Sequence, residues 1–403
     1  MTASTISLNN ITLLQSDAVP AVRLDIVVPA GMGEQDCLLQ ALFTNRLLRE
    51  GTIRLTASAL AERLDWLGAW LELTVSVHHS FVTLYTLRRH APEAFRLVHD
   101  MLCNPTFPED RLEAVRAANR SQYLVNRYRG DVVARRLLGT AIYGPDHPCG
   151  RFAEEKDFDA INRDDLLRFH QRHYASYHLF LAGDVDDALL RLTEELFGGE
   201  NSTPSFPAGD RSPHPSRGAV GLHLNHTLPT AVQASVRMGG LMMDVGSDDY
   251  YTMRVVTAIL GGYFGSRLMK NVREKQGLTY SINADLFTNT RQVLFVVNSE
   301  AAADKGPAVV DEVVRQCESL CEKAVDDDEL TLVRNYMLGE IYRNYESVFS
   351  LIDAHIHTYT LGLPTTHLNR TVEAIRTVTP ADLLTVARRW LRPDLFTTVV
   401  VAP

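Results

Sequence analysis

No Cys-x-x-Cys pair occurs in the 403 residues, and the five cysteines, Cys37, Cys103, Cys149, Cys317 and Cys321, form an odd set that disulfides cannot exhaust. This excludes a disulfide-stapled secreted scaffold and a paired-cysteine zinc site, and it fits free thiols in a reducing compartment. Cys317 and Cys321 stand one helical turn apart and, with no second pair, read as buried thiols. There is no run of about 18 apolar residues, the length a helix needs to cross a bilayer. The stretch "MTASTISLNNITLL" shows no basic segment followed by an apolar run, so the sequence predicts a soluble, cytoplasmic chain with no membrane span. Basic residues are in deficit, 40 against 49 acidic, for a net charge of -9. A nucleic-acid groove needs clustered Lys and Arg, so that partner is excluded, whereas solubility is favoured. Gly261, Gly262 and Gly265 follow neither G-x-G-x-x-G nor the Gly-Lys-Ser/Thr ending, and they predict a tight helix junction rather than a phosphate loop.

What is present is an ordinary globular composition, 45% apolar, in a chain long enough for two or three domains. From Phe197 to Gly218 the sequence reads "FGGENSTPSFPAGDRSPHPSRG", a linker composition. It predicts a first lobe over residues 1–197, a linker over 198–218 and a second lobe over 219–403. The two pieces repeat. "INRDDLLRFHQRHYASYHLFLAG" and "VTPADLLTVARRWLRPDLFTTVV" share an Asp-Leu-Leu start, a basic helix and a closing apolar strand, with Leu166 and Leu383 217 positions apart. "PEDRLEAVR" and "DDDELTLVR" match at nearly the same offset, Arg116 against Arg334, and a near-constant offset over two segments points to duplication. Each half opens on a strand ("AVRLDIVV", "AVQASVRM") and continues through hairpin-like pairs ("AWLELTVSV" and "SFVTLYTL"; "LTYSINADLF" and "RQVLFVVNS"). Long helices and a final strand complete it. The fold class predicted is two related α+β lobes, each a mostly antiparallel sheet packed against helices.

"LLREGT", "LGAWLELTVSVHHSFVTLY", "GPDHPCGR" and "LAGDVD" in the first half, and "LGGYFGSRLMKNVREKQGLTYSI" in the second, together resemble the pitrilysin, or insulinase and mitochondrial processing peptidase, family. The resemblance implies half-sized subunits that pair around a peptide, and a zinc site built on H-x-x-E-H. Two His at i and i+4 share a helix face and bind the metal, the Glu reaches the metal-bound water, and a distant Glu is the third protein ligand. Aligning Gly51-Thr52 with the family's Gly-Thr places Leu42 and Arg46 where the two His belong and Asn45 where the Glu belongs. The distant ligand falls on Gln122. None of these can do the family's chemistry, and no other H-x-x-E-H occurs in either direction. His170 and His173 share a helix face with no acid between them and read as solvated surface. Leu39, Leu42, Phe43 and Leu47 still form one apolar stripe, so the helix is expected to persist, with Arg46 pairing to Glu50 one turn on.

In the second half the resemblance implies that Arg273 and Tyr280 hold the substrate backbone and the oxyanion of the scissile carbonyl. A plainer reading stands beside it: Leu278, Tyr280, Ile282, Ala284 and Leu286 alternate, which would make Tyr280 a core tyrosine, and Arg273 would merely suit a helix end. The resemblance further implies that a peptide adds a strand beside Ala69 to Val77. The expectation is a metal-free, non-catalytic subunit of a two-component zinc endopeptidase, inactive alone. A zinc-bearing sibling subunit would be its partner in a heterodimer, and a peptide or unfolded protein the substrate. No cofactor is expected on this chain, and zinc is expected in the sibling. The alternative is a scaffold or peptide-binding protein without proteolytic role, as a self-dimer.

Overall fold

The computed structural model describes residues 4–8, 10–198 and 220–403; the expected linker, 198–218, lies almost wholly outside them. Eleven strands among the described residues form two sheets. The first contains β1 (Ser4–Leu8), β2 (Ile11–Gln15), β3 (Ala21–Val28), β4 (Trp70–Val75), β5 (Ser80–Leu87) and β6 (His178–Gly183). The second contains β7 (His223–Thr227), β8 (Gln233–Asp244), β9 (Thr279–Phe287), β10 (Gln292–Ala302) and β11 (Thr397–Ala402). Helices α1 (Gln40–Leu47), α2 (Ala57–Trp66), α3 (Ala91–Cys103), α4 (Glu109–Asn126), α5 (Gly130–Tyr143), α6 (Glu155–Ala160), α7 (Arg163–His173) and α8 (Asp187–Phe197) belong to the first half of the sequence. Helices α9 (Asp248–Thr257), α10 (Gly306–Glu322), α11 (Asp327–Asn344), α12 (Val348–Thr360), α13 (His367–Thr377) and α14 (Pro380–Trp390) belong to the second.

The strand orders are β1-β2-β6-β3-β5-β4 and β7-β11-β8-β10-β9. Without β1 they superpose term by term, down to the single parallel pairing in each, β2 with β6 and β7 with β11. The predicted pair of related, mostly antiparallel α+β lobes is therefore the observed fold. Central strands such as β3 ("AVRLDIVV") and β6 are buried nearly throughout, as β-branched runs covered on both faces should be.

The covering helices depart from the sequence boundaries. One compact unit contains the chain up to Gln122, the segment from Ala153 through α8, and Tyr345–Gly362; the other contains Tyr123–Phe152, the chain from β7 to Asn344, and Leu363–Pro403. Helix α5, from the first half, thus lies on the second sheet, where Ala134, Leu138 and Ile142 pack with Val399, Val401 and Val296. Helix α12, from the second half, lies on the first sheet, where Val348, Ile352 and Ile356 pack with Leu14, Val27, Phe180 and Ala182. The division at residues 197 and 219 misses this exchange for a physical reason. An amphipathic stripe records that it needs an apolar face, not which of two similar faces receives it.

Helix α12 is also held by charge. Arg23 on β3 donates to both oxygens of Asp25, at 2.8 and 2.9 Å, to the Phe349 carbonyl at 3.0 Å and to Asp353 at 2.6 Å. Thr83 completes the cluster with a 2.7 Å bond to Asp25. Arg23 and Asp25 are both buried, and every strong group in the cluster has a partner, the condition under which buried charge is tolerable.

Candidate functional site: helix α1 and an exposed tyrosine on a bulged strand

Helix α1 survives where the family's metal helix is expected, packed against α7 and the β4–β5 hairpin. It ends at Gly51, whose φ of 138° strongly favours glycine. Gly51 and Thr52 then bridge to Thr56 and Pro105. The Gly-Thr landmark is thus kept by a backbone turn, independent of any chemistry on the helix. At the other end Leu39 adopts a left-handed φ of 72°, an unfavourable conformation for a branched side chain. The turn is secured by Gln40, whose amide accepts from Asp36 N at 2.7 Å and donates to the Asp165 carbonyl at 2.8 Å.

The four vacated positions have separate fates. Leu42 is half-buried beside the fully buried Phe43. Asn45 is fully buried, and its amide donates to the carbonyls of Thr74 at 2.8 Å and Phe81 at 3.1 Å while its oxygen accepts from the Tyr174 hydroxyl at 3.1 Å. It ties α1 to both strands of the hairpin and to the end of α7. Arg46 is exposed and donates to the Asn119 side chain on α4, not to Glu50. Glu50 instead accepts from Arg111 at 2.6 Å, so the expected Arg46–Glu50 pair is replaced by two contacts to α4. Gln122 is exposed, one turn beyond Asn119. A leucine, a fully bonded amide, a guanidinium and a glutamine do not fit a zinc ion: no anionic or imidazole donor is among them, and Arg46 adds a repelling charge. Among the described residues, no group of three or more His, Cys, Asp or Glu is disposed to hold a metal. His170 and His173 are half-buried rather than solvated; His170 Nε2 lies 2.7 Å from the Leu102 carbonyl and the His173 ring packs against Phe169 at a tilt of 50°.

Tyr280 is 85% exposed, which removes the core-tyrosine reading. Alternation along β9 points it inward, and a β-bulge turns it out. Ser281 pairs with Glu300 and Thr279 with Ala301, leaving Tyr280 as the extra residue between consecutive partners. The inward side chains are therefore Thr279, Ile282 and Ala284, a spacing of three and then two. The Thr279 hydroxyl organises the bulge, lying 2.9 Å from the Ser281 carbonyl and 2.5 Å from the Glu300 carbonyl, and accepting from Ser281 N at 3.2 Å and Ser299 Oγ at 3.1 Å. Bulges recur where a strand must re-aim a side chain.

Arg273 lies in a π-helical turn, Met269–Lys275, a local widening often found at functional positions. Its guanidinium sits 5.1 Å from the ring centre of Phe264, itself 67% exposed. This cation–π contact orients the guanidinium without consuming its hydrogen-bond donors. Phe264 and Thr279 were not singled out from sequence. "YFGSR" gives no sign that its Phe faces solvent, and a bulge leaves only a broken alternation.

Strand β4 is the outer strand of its sheet among the described residues. It carries Trp70, 64% exposed, whose indole donates to Glu72 at 3.1 Å. Its topological counterpart in the second sheet is β9, the strand that carries Tyr280.

Known proteins share this fold. The family profile described as "Peptidase M16 inactive domain" matches residues 160–337. A Bacillus subtilis protein named "Uncharacterized zinc protease YmxG" is 21% identical over 346 residues, covering 84% of this chain and 83% of that protein. A Helicobacter pylori protein named "Non-peptidase homolog YmxG" is 25% identical over 336 residues, covering 79% and 74%. The crystal structure of a peptidase M16 inactive domain from Pseudomonas fluorescens aligns with a TM-score of 0.87 at 21% identity, covering 100% of this chain and 98% of that one. The matched profile over residues 160–337, the relatives and the shared two-lobe fold make this chain similar to M16 peptidases and their inactive homologues.

Proposed function

We propose that this chain is the metal-free subunit of a two-component zinc endopeptidase of the pitrilysin type. A sibling subunit carrying H-x-x-E-H supplies the zinc in this reading, and this chain supplies Arg273 and Tyr280 to the peptide or unfolded protein being cut. The observation that carries it is the contrast between the lobes. The residues at the metal positions of α1 and α4 are not metal ligands, yet a bulge presents the Tyr280 hydroxyl to solvent and a π-turn carries the half-buried Arg273, its guanidinium against Phe264. Such groups can donate to the oxyanion and the backbone of a reacting peptide. Because zinc generates the nucleophilic hydroxide, this chain alone performs no hydrolysis. Its five free cysteines suit a reducing compartment. No described helix is long and apolar enough to cross a membrane.

Co-expression with candidate siblings is the test. Peptide cleavage should arise only in the mixture, and Tyr280→Phe should lower turnover by about 10²-fold, as loss of an oxyanion donor does. Unchanged turnover in that variant removes the assigned role. A second reading is favoured by the free edge of β4 and its exposed Trp70: the chain holds peptides by strand addition without taking part in cleavage. Peptide binding that survives in the chain alone, with no activity beside any sibling, selects that reading.

A further inference from the structure

The duplication supplies an internal comparison that isolates one arginine. Arg23 stands opposite Ala182 and Arg237 opposite Val399, and Ala182 and Val399 are separated by 217 positions, the offset of Leu166 and Leu383. Arg23 and Arg237 therefore occupy the same place in the two sheets. Arg23 is sealed by Asp25, Asp353 and a carbonyl. The Arg237 guanidinium has no hydrogen bond among the described residues; Glu300 is its ion-pair partner, with nitrogen and oxygen 3.8 Å apart, beyond hydrogen-bond reach. Glu300 is already engaged through its other oxygen, which accepts from Ser235 Oγ at 2.5 Å. Burial pushes the Arg237 guanidinium down and the Glu300 carboxyl up, so neither group is fully compensated by the other.

Arg237 lines an open cavity of about 330 Å³ whose walls include Arg129 and Asp131. These two pair at 3.1 Å through both guanidinium nitrogens. The first turn of α5 sits directly on the sheet here: a Cβ at Gly130 would lie 2.7 Å from Ser235 Oγ. In register across the sheet, Arg237 faces Asn298 and Asn298 faces Asn283. The result is a row of side-chain donors about 10 Å long, two inter-strand spacings, on a face beside α5, in which Asn283 also donates to Asp285 and keeps one N–H for a ligand. Two acids among the walls, one of them tied to Arg129, leave no net positive charge to favour a dianion. A planar fork with unused donors suits one carboxylate, and the two amides beyond it suit the peptide groups attached to that carboxylate.

We propose that this cavity binds the C-terminal carboxylate of a peptide, with Arg237 holding the carboxylate and Asn298 and Asn283 meeting the preceding amide groups. The site requires neither zinc nor a sibling chain, so it stands apart from the proposed cleavage role, and either can fail alone.

Calorimetric titration of the purified chain with N-acetyl-trialanine and with its C-terminal amide tests it. The free acid should bind about ten- to a hundredfold more tightly than the amide, the range expected for charge-assisted bonds. Arg237→Gln should reduce the acid to the affinity of the amide, and Arg237→Lys should recover part of the preference, with thermal unfolding used to verify that each variant is folded. Asn298→Ala should weaken acid and amide alike, and serves if Arg237→Gln does not fold. The proposal is overturned if acid and amide bind equally, if neither binds at millimolar concentration, if Arg237→Gln keeps the preference, or if inorganic phosphate competes better than acetate.

Discussion

Asn45, where the resemblance would put a catalytic glutamate, has a structural role. Its two N–H groups and its oxygen are all used inside the fold, by Thr74, Phe81 and Tyr174. Asn45→Ala removes three hydrogen bonds that tie α1 to the hairpin and to α7, although the two carbonyls keep their β4–β5 ladder partners, and should cost about 1–3 kcal/mol in denaturant unfolding. Asn45→Glu, the acid that the resemblance implies here, should cost more, because a carboxylate has no N–H to give the same two carbonyl oxygens and would be repelled by them. A variant as stable as the parent in either case contradicts the clamp. From sequence, the loss of the metal ligands at Leu42, Asn45, Arg46 and Gln122 is legible because ligand chemistry is a property of residue type. What Asn45 does instead is not legible, since its partners lie 29, 36 and 129 residues away.

Among the elements, β9 is where sequence periodicity and structure part. Alternation is a local rule, and it holds over Ile282, Ala284 and Leu286; the bulge that breaks it at Tyr280 depends on the partner strand β10 and on the Thr279 hydroxyl. Thr279→Val keeps the shape but removes that hydroxyl. It should cost about 1–2 kcal/mol and allow the strand to relax toward regular pairing, with Tyr280 turning inward. Nitration of Tyr280, followed by mass spectrometry, should then slow several-fold relative to the parent; an unchanged rate would show that the bulge does not need its threonine. Helix α1 teaches the converse. Its stripe of Leu42, Phe43 and Leu47 is enough for the helix to be anticipated, and the helix stands whether or not it carries metal ligands.

Over the whole molecule, duplication makes each lobe a control for the other. Arg23 and Arg237 share a position, but only Arg23 is locked to a helix from the distant half of the sequence. Arg23→Ala would strand the buried Asp25 and should cost about 3–5 kcal/mol, with amide exchange in α12 accelerating first. Arg237→Ala should cost about 1 kcal/mol or less, since its one ion pair is long and partly solvated. Equal losses at the two positions would mean that Arg237 is structural as well.

The amino-acid sequence alone determined the repeat, the two sheets with their helices, the resemblance to a peptidase family and the lack of an H-x-x-E-H motif. Each of these depends on residue type and spacing along the chain. Only the tertiary structure decided that α5 and α12 exchange sheets, that Tyr280 faces outward and that Arg237 keeps its donors free. Those outcomes depend on which surface lies across from a residue, and two lobes of one ancestry offer nearly identical surfaces, so the choice is made by packing and partner geometry rather than by any local pattern.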